Sequence, residues 1–112
     1  MSAATYNFNL DQGADFALEL VMKDKGVVKD LTGYSARAQM RKSKEAATPA
    51  ASFTCTIPTP TDGKIKLDMP NATSAALAAG VYYYDLEIYT SSDSFVLRLL
   101  QGQVTVTREI TR

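Results

Sequence analysis

From Lys64 to Met69 the chain reads KIKLDM, with polar and apolar residues in strict alternation. A two-residue period puts Ile65, Leu67 and Met69 on one side of an extended backbone and Lys64, Lys66 and Asp68 on the other. That pattern builds a half-buried strand and gives a helix no apolar stripe. The same period recurs along most of the sequence. TYNFNLD aligns Tyr6, Phe8 and Leu10, and DFALELVMK aligns Phe16, Leu18, Leu20 and Met22. YSARAQMRK sets Tyr34, Ala36, Ala38 and Met40 against Arg37, Gln39 and Arg41, and SFTCTI aligns Phe53, Cys55 and Ile57. The intervening KDKG (23–26), Thr32–Gly33 and PTPTDG (58–63) are turn chemistry, whereas SKEAATPAA (43–51) loses the period and predicts a surface loop or a crossing between sheets.

In GVYYYDLEIYT (80–90) the period resolves three consecutive tyrosines. Tyr82, Tyr84, Leu86 and Ile88 share a core face; Tyr83, Asp85, Glu87 and Tyr89 share an outer one. Tyr82 follows a short turn ending in glycine, the position of a tyrosine corner, whose hydroxyl returns to nearby backbone. The last alternating run, SFVLRLLQGQVTVT, changes phase: Phe95, Leu97 and Leu99 hold one parity, and Leu100, Val104 and Val106 the other. A β-bulge near Gln101 and Gly102 would absorb the extra residue. NATSAALAAG is the one helical candidate, capped by Asn71 or Thr73 and ended by Gly80. Together these runs predict an all-β chain: an antiparallel two-sheet β-sandwich, Ig-like or jelly-roll-like, of seven or eight strands with one short helix. At 112 residues it is a single domain spanning 1–112.

The same residues restrict the chemistry. There is no histidine, which removes the commonest general base and zinc ligand. Cys55 is the lone cysteine, so no internal disulfide can form; it alternates with Phe53 and Ile57 and reads as a buried thiol made in a reducing cytoplasm. Asp85 and Glu87 share an outer face with no apolar pocket to raise a pKa, and cross-strand partners such as Arg37 and Arg41 or Lys64 and Lys66 account for them. Asp11, Asp15 and Glu19 lack the spacing of a calcium loop, and no glycine-rich phosphate loop is present. The expectation is a non-enzymatic chain with no catalytic residue, no cofactor and no metal. Twelve basic residues balance twelve acidic ones, which gives no general attraction to nucleic acid. The apolar runs are too short to span a membrane, and MSAATYNFNLDQG has no secretory pattern. What remains is protein contact. Tyr83, Glu87 and Tyr89 form one candidate surface, with sugar or peptide stacking on the two tyrosines as the alternative. Arg108, Glu109 and Ile110 form another, because Ile110 keeps the parity of Val106 and the strand could continue as an overhanging edge.

Four stretches have a familiar order and spacing: LDQGADFALEL, VVKDLTGYSARAQMR (27–41), LAAGVYYYDLEI (77–88) and RLLQGQVTVTREITR (98–112). The chain resembles a family of small tailed-bacteriophage and prophage structural proteins and, more distantly, the amino-terminal β-sandwich of phage upper baseplate proteins. In that family a DLTGY segment leads into an arginine-rich strand and an LLxGxVTV strand closes the domain. The resemblance implies a virion component assembled in the host bacterial cytoplasm, with other virion proteins as partners and self-association on the particle as an option. As a capsid decoration (cement) protein it would stabilise contacts between capsid subunits. The alternative is a tail or baseplate adaptor anchoring fibres or receptor-binding proteins. Baseplate relatives usually continue beyond the sandwich, whereas this sequence stops at Arg112. Both readings imply ends that are ordered by other virion chains and mobile in the isolated protein.

Overall fold

The alternating runs form strands in the computed structural model, which describes residues 3–91 and 94–110. In chain order they are β1 (Ala4–Thr5), β2 (Phe8–Asp11), β3 (Phe16–Val21), β4 (Lys23–Asp24), β5 (Val27–Val28), β6 (Ser35–Arg41), β7 (Ala51–Thr56), β8 (Lys64–Met69), β9 (Gly80–Tyr89) and β10 (Val96–Thr107). Helix α1 (Asn71–Ala75) follows β8, and a 3-10 turn spans Pro60–Asp62. β4 and β5 make a small hairpin of their own, turned by Lys25 and Gly26 at φ 52° and 80°. The other eight strands form one hydrogen-bonded path, β1-β10-β9-β6-β7-β8-β3, with β2 also on β10.

The chain is mostly β with one short helix, and its main sheet is a curled half-barrel of mixed strands. β7 makes the link. Its first half pairs with β6 (Ala38↔Phe53, Met40↔Ala51) and its second half with β8 (Cys55↔Leu67), so the crossing lies in β7 itself, not in the loop before it. The all-antiparallel expectation also fails at one edge, where β1 and β2 both run parallel to β10. Alternation specifies which face a side chain takes; it carries no information about strand direction.

The core fills the concave side. Leu10, Met40, Ile65, Leu67, Met69, Leu86, Ile88, Val104 and Val106 are fully buried. Tyr82 and Tyr84 join them, and their hydroxyls find backbone acceptors: Tyr82 donates to Ala78 O at 2.7 Å and Tyr84 to Tyr6 O at 2.6 Å. The first is the predicted tyrosine corner. Phe8 stacks on Phe16 (5.2 Å between ring centroids) and meets Tyr84 edge-on at 4.9 Å, so aromatic packing joins β2 to β3 where no ladder does.

Three local expectations need correction. The register shift in β10 falls between Arg98 and Leu100, not at Gly102, so Leu99 is the inserted residue and both Leu99 and Leu100 are buried. Gly102 has a different duty: a Cβ there would overlap the Tyr6 carbonyl and lie 2.7 Å from Asn7 Oδ1, so it lets the β1–β2 connection run close beside β10. Helix α1 ends before Gly80, which instead opens β9, and its first amide is capped from a distance by Asp15 Oδ1 (2.8 Å from Asn71 N) rather than by Asn71 or Thr73. Fully buried Ser74 fastens the same corner, donating to Ala14 O at 2.8 Å and accepting from Gly13 N at 3.1 Å. Phe95 is 47% exposed rather than inward, its ring edge-on to Tyr34 at 6.0 Å. No helix among the described residues is long and apolar enough to cross a membrane.

Candidate protein-contact face

β6, β9 and β10 lie side by side, and their outward residues fall into rows. Ser35, Tyr89 and Val96 form the first row, and Arg37, Glu87 and Arg98 the second. Gln39, Asp85 and Gln101 form the third, and Arg41, Tyr83 and Gln103 the fourth. The carboxylates therefore occupy the middle strand, with cations and amides on both flanks. The Leu99 bulge is what permits this. Arg98 and Gln101 are three residues apart, an odd spacing that puts them on opposite faces of a regular strand; the inserted residue brings both outward.

Ion pairs tie the rows together. Arg37 Nε donates to Glu87 Oε1 at 2.9 Å, and Arg98 Nε lies 3.2 Å from Asp85 Oδ2. Of the partners expected from sequence, Arg37 fits; Lys64 and Lys66 instead approach Glu19 (4.0 Å) and Asp68 (3.9 Å) on the other side of the molecule. The Arg37 guanidinium also sits over the Tyr89 ring, 4.5 Å from its centroid, and Lys44 Nζ lies 5.7 Å from that of Tyr83. Arg41 is placed by neutral acceptors: its guanidinium donates to Ala46 O at 2.9 Å and Gln39 Oε1 at 3.1 Å. Asp85 is held above the usual aspartate range, first by burial and then by Glu87, while Arg98, Arg41 and Arg37 oppose the shift.

Between Lys44 on one side and Thr5 and Asn7 on the other, this face is hollowed into an open trough of about 830 Å³. Tyr83, Asp85, Glu87, Arg37, Arg41 and Arg98 all line it; Tyr89 stands just outside. Arginines engage both of its carboxylates, Glu87 through Arg37 and Asp85 through Arg98. Cys55 lies on the core side, its thiol pushed up to about 11 by burial, which suppresses the reactive thiolate. Among the described residues, no three metal-ligating side chains converge.

The second predicted surface is separate. β10 ends at Thr107, beyond the Val106–Gly80 pair, so the strand does not continue through Ile110. Arg108 is exposed, Glu109 is half-buried with its amide donating to Gln12 Oε1 at 3.0 Å, and Ile110 is 93% exposed. None of the three lines the trough. The expectation of mobile ends falls partly on residues 1–2 and 111–112, which lie outside the described residues. Sequence reasoning placed Tyr83, Glu87 and Tyr89 together and offered Arg37 and Arg41 as cross-strand partners of the carboxylates, but it did not bring Lys44, Arg98, Gln101 and Gln103 to this face, since these join it only through strand order. The doublet Leu99–Leu100 in an otherwise alternating strand was the available signal for the bulge.

No protein-family model matches the sequence, and no curated protein matches it. Among solved structures, the N-terminal domain of phage TP901-1 ORF48 superposes with a TM-score of 0.62 at 10% identity, over 95% of this chain and 98% of that one. The fold is similar to that of a phage domain. The cysteine protease inhibitor EhICP2 of Entamoeba histolytica follows with a TM-score of 0.50 at 12% identity, over 95% and 94% of the two chains. Listeria monocytogenes InlP gives 0.49 at 12% identity, with 28% of its length covered. At these identities the likenesses are of fold.

Proposed function

We propose that the chain is a non-enzymatic structural protein of a tailed-phage virion, acting as a tail or baseplate adaptor that grips other virion proteins through the outer face of β6, β9 and β10. The observation that carries this reading is the end-to-end fold likeness to the N-terminal domain of a phage protein. The sequence resemblance supports it independently: the segments 27–41, 77–88 and 98–112 contain β6, most of β9 and most of β10, the strands that bear the face. In this reading the half-barrel groups as a sandwich of β3–β8–β7 against β6–β9–β10, and the protein works in the virion after assembly in the bacterial cytoplasm. The adaptor role is favoured over capsid decoration because the sequence resemblance extends to the amino-terminal sandwich of phage upper baseplate proteins.

Quantifying the chain in purified particles tests the proposal, with labelled antibody locating it. A few copies confined to the tail are expected. Hundreds of copies spread over the head would replace the adaptor role with capsid decoration, and absence from particles would refute the virion reading altogether.

A further inference from the structure

The trough on the outer face carries a charge imbalance that the chain as a whole does not. The whole chain carries no net charge. The trough is lined by four cations, Arg37, Arg41, Lys44 and Arg98, against two carboxylates, Asp85 and Glu87, which leaves a surplus of two positive charges. The carboxylates are taken internally, Glu87 by Arg37 at 2.9 Å and Asp85 by Arg98 at 3.2 Å. Among the described residues neither Arg41 nor Lys44 has a carboxylate within ion-pair distance. The Arg41 guanidinium is nevertheless fixed in place by Ala46 O and Gln39 Oε1, acceptors that orient it without neutralising it. Held in this way, its remaining N–H donors suit a carboxylate approaching in the guanidinium plane. Along the rest of the trough stand Gln39, Gln101, Gln103 and Asn7, amides able to bond the peptide groups of an extended chain.

From this charge pattern we infer that the trough receives an extended, acidic segment of a partner protein, its carboxylates seated on Arg41 and Lys44 and its backbone running over the glutamines. The inference rests on the contact-face reading above and supplies the chemistry of the partner. Asp85 and Glu87 on the central strand argue for discrete acidic side chains over a nucleic-acid backbone, because a continuous line of phosphates crossing β9 would meet both carboxylates.

The test uses the full chain and a dye-labelled hexaglutamate peptide followed by fluorescence anisotropy, with a hexalysine peptide and a single-stranded oligonucleotide of equal length as competitors for the same role. Hexaglutamate is expected to bind, more tightly at low salt, and hexalysine is not. Removing both cations, Arg41→Gln with Lys44→Gln, is expected to weaken binding about tenfold, roughly threefold for each exposed charge pair. Removing Lys64 and Lys66 by the same substitution, on the opposite side, should change it less than about twofold. Equal losses in the two variants, or no binding by the natural chain, overturn the inference; tighter binding of the oligonucleotide replaces the acidic segment with nucleic acid. If the double variant unfolds, amide chemical-shift changes in the natural chain decide, since they should centre on Arg41, Lys44 and Gln101. Particle localisation reports separately. A chain present on tails that ignores hexaglutamate keeps its virion role and loses this site, and a chain absent from particles that binds the peptide does the reverse.

Discussion

Replacing Gly102 by alanine adds one methyl group where β10 lies hard against the connection between β1 and β2. The new Cβ would overlap the Tyr6 carbonyl oxygen and come within 2.7 Å of Asn7 Oδ1, so the connection between β1 and β2 must lift away from β10. Three hydrogen bonds depend on that approach: Tyr6 N to Gln101 O at 2.9 Å, Gln103 N to Asn7 Oδ1 at 2.9 Å, and the Tyr84 hydroxyl to Tyr6 O at 2.6 Å. At about 1 kcal/mol net for each, their loss should cost about 3 kcal/mol and lower the thermal midpoint by roughly 10 °C. Urea unfolding of Gly102→Ala measures the cost. A double-mutant cycle with Tyr84→Phe checks its origin, because the phenol has nothing left to lose once Tyr6 has moved. A variant within about 0.5 kcal/mol of the natural chain, or a Tyr84→Phe cost that is the same in both backgrounds, would refute the placement of the first strands on β10.

Tyr82→Phe removes the bond to Ala78 O and should cost about 1 kcal/mol in the same assay, without altering the fold's circular dichroism. Cys55 and Tyr84 are raised by burial from 9.0 to about 11 and from 10.0 to about 12, so the folded state keeps protons that the unfolded chain releases; stability should hold below pH 9 and fall as pH rises from there through 11 and 12. A folded chain whose urea midpoint stays flat across that window would contradict their burial. Asp85 should titrate above the ordinary aspartate range by NMR, and Arg98→Gln should move it further up, since Arg98 opposes the shift. Deleting residues 108–112 removes the Glu109–Gln12 bond at a cost of about 1 kcal/mol or less and should leave hexaglutamate binding unchanged; a loss of binding would move the contact to the carboxy-terminal segment.

What could be read from the sequence was whatever the two-residue period encodes locally. It placed Leu67, Tyr82, Tyr84 and Ile88 in the core and Tyr83, Glu87 and Tyr89 outside, because a strand's faces follow from parity alone. The parallel seating of β2 on β10 was not legible, since Phe8 and Val104 are joined by long-range packing that leaves no local trace. The bulge was seen but misplaced. Glycine is the residue that bulges favour, which drew attention to Gly102, while the decisive mark was the adjacent pair Leu99 and Leu100, both of which need the core. The misplacement also hid Gln101 from the outer face, for only the bulge at Leu99 turns Arg98 and Gln101 to the same side.

The parallel seating of β1 and β2 on β10 has a consequence for how the protein is made. Of these ten strands, the two made first have their partner in the one made last. Through most of synthesis β3, β6, β7, β8 and β9 can find one another, while residues 4–11 have no strand to join. Seating β1 and β2 on β10 is then a loop closure across all the strands between them, the kind of long-range pairing that slows folding. During that wait Phe8 lacks the strand that holds it against Phe16 and Tyr84, and the far edge of β9 stands open. An uncovered edge beside loose aromatic rings is a seed for aggregation. A stop codon that truncates β10 would therefore release no smaller working domain, only an open sheet for the cell's chaperones and proteases to clear.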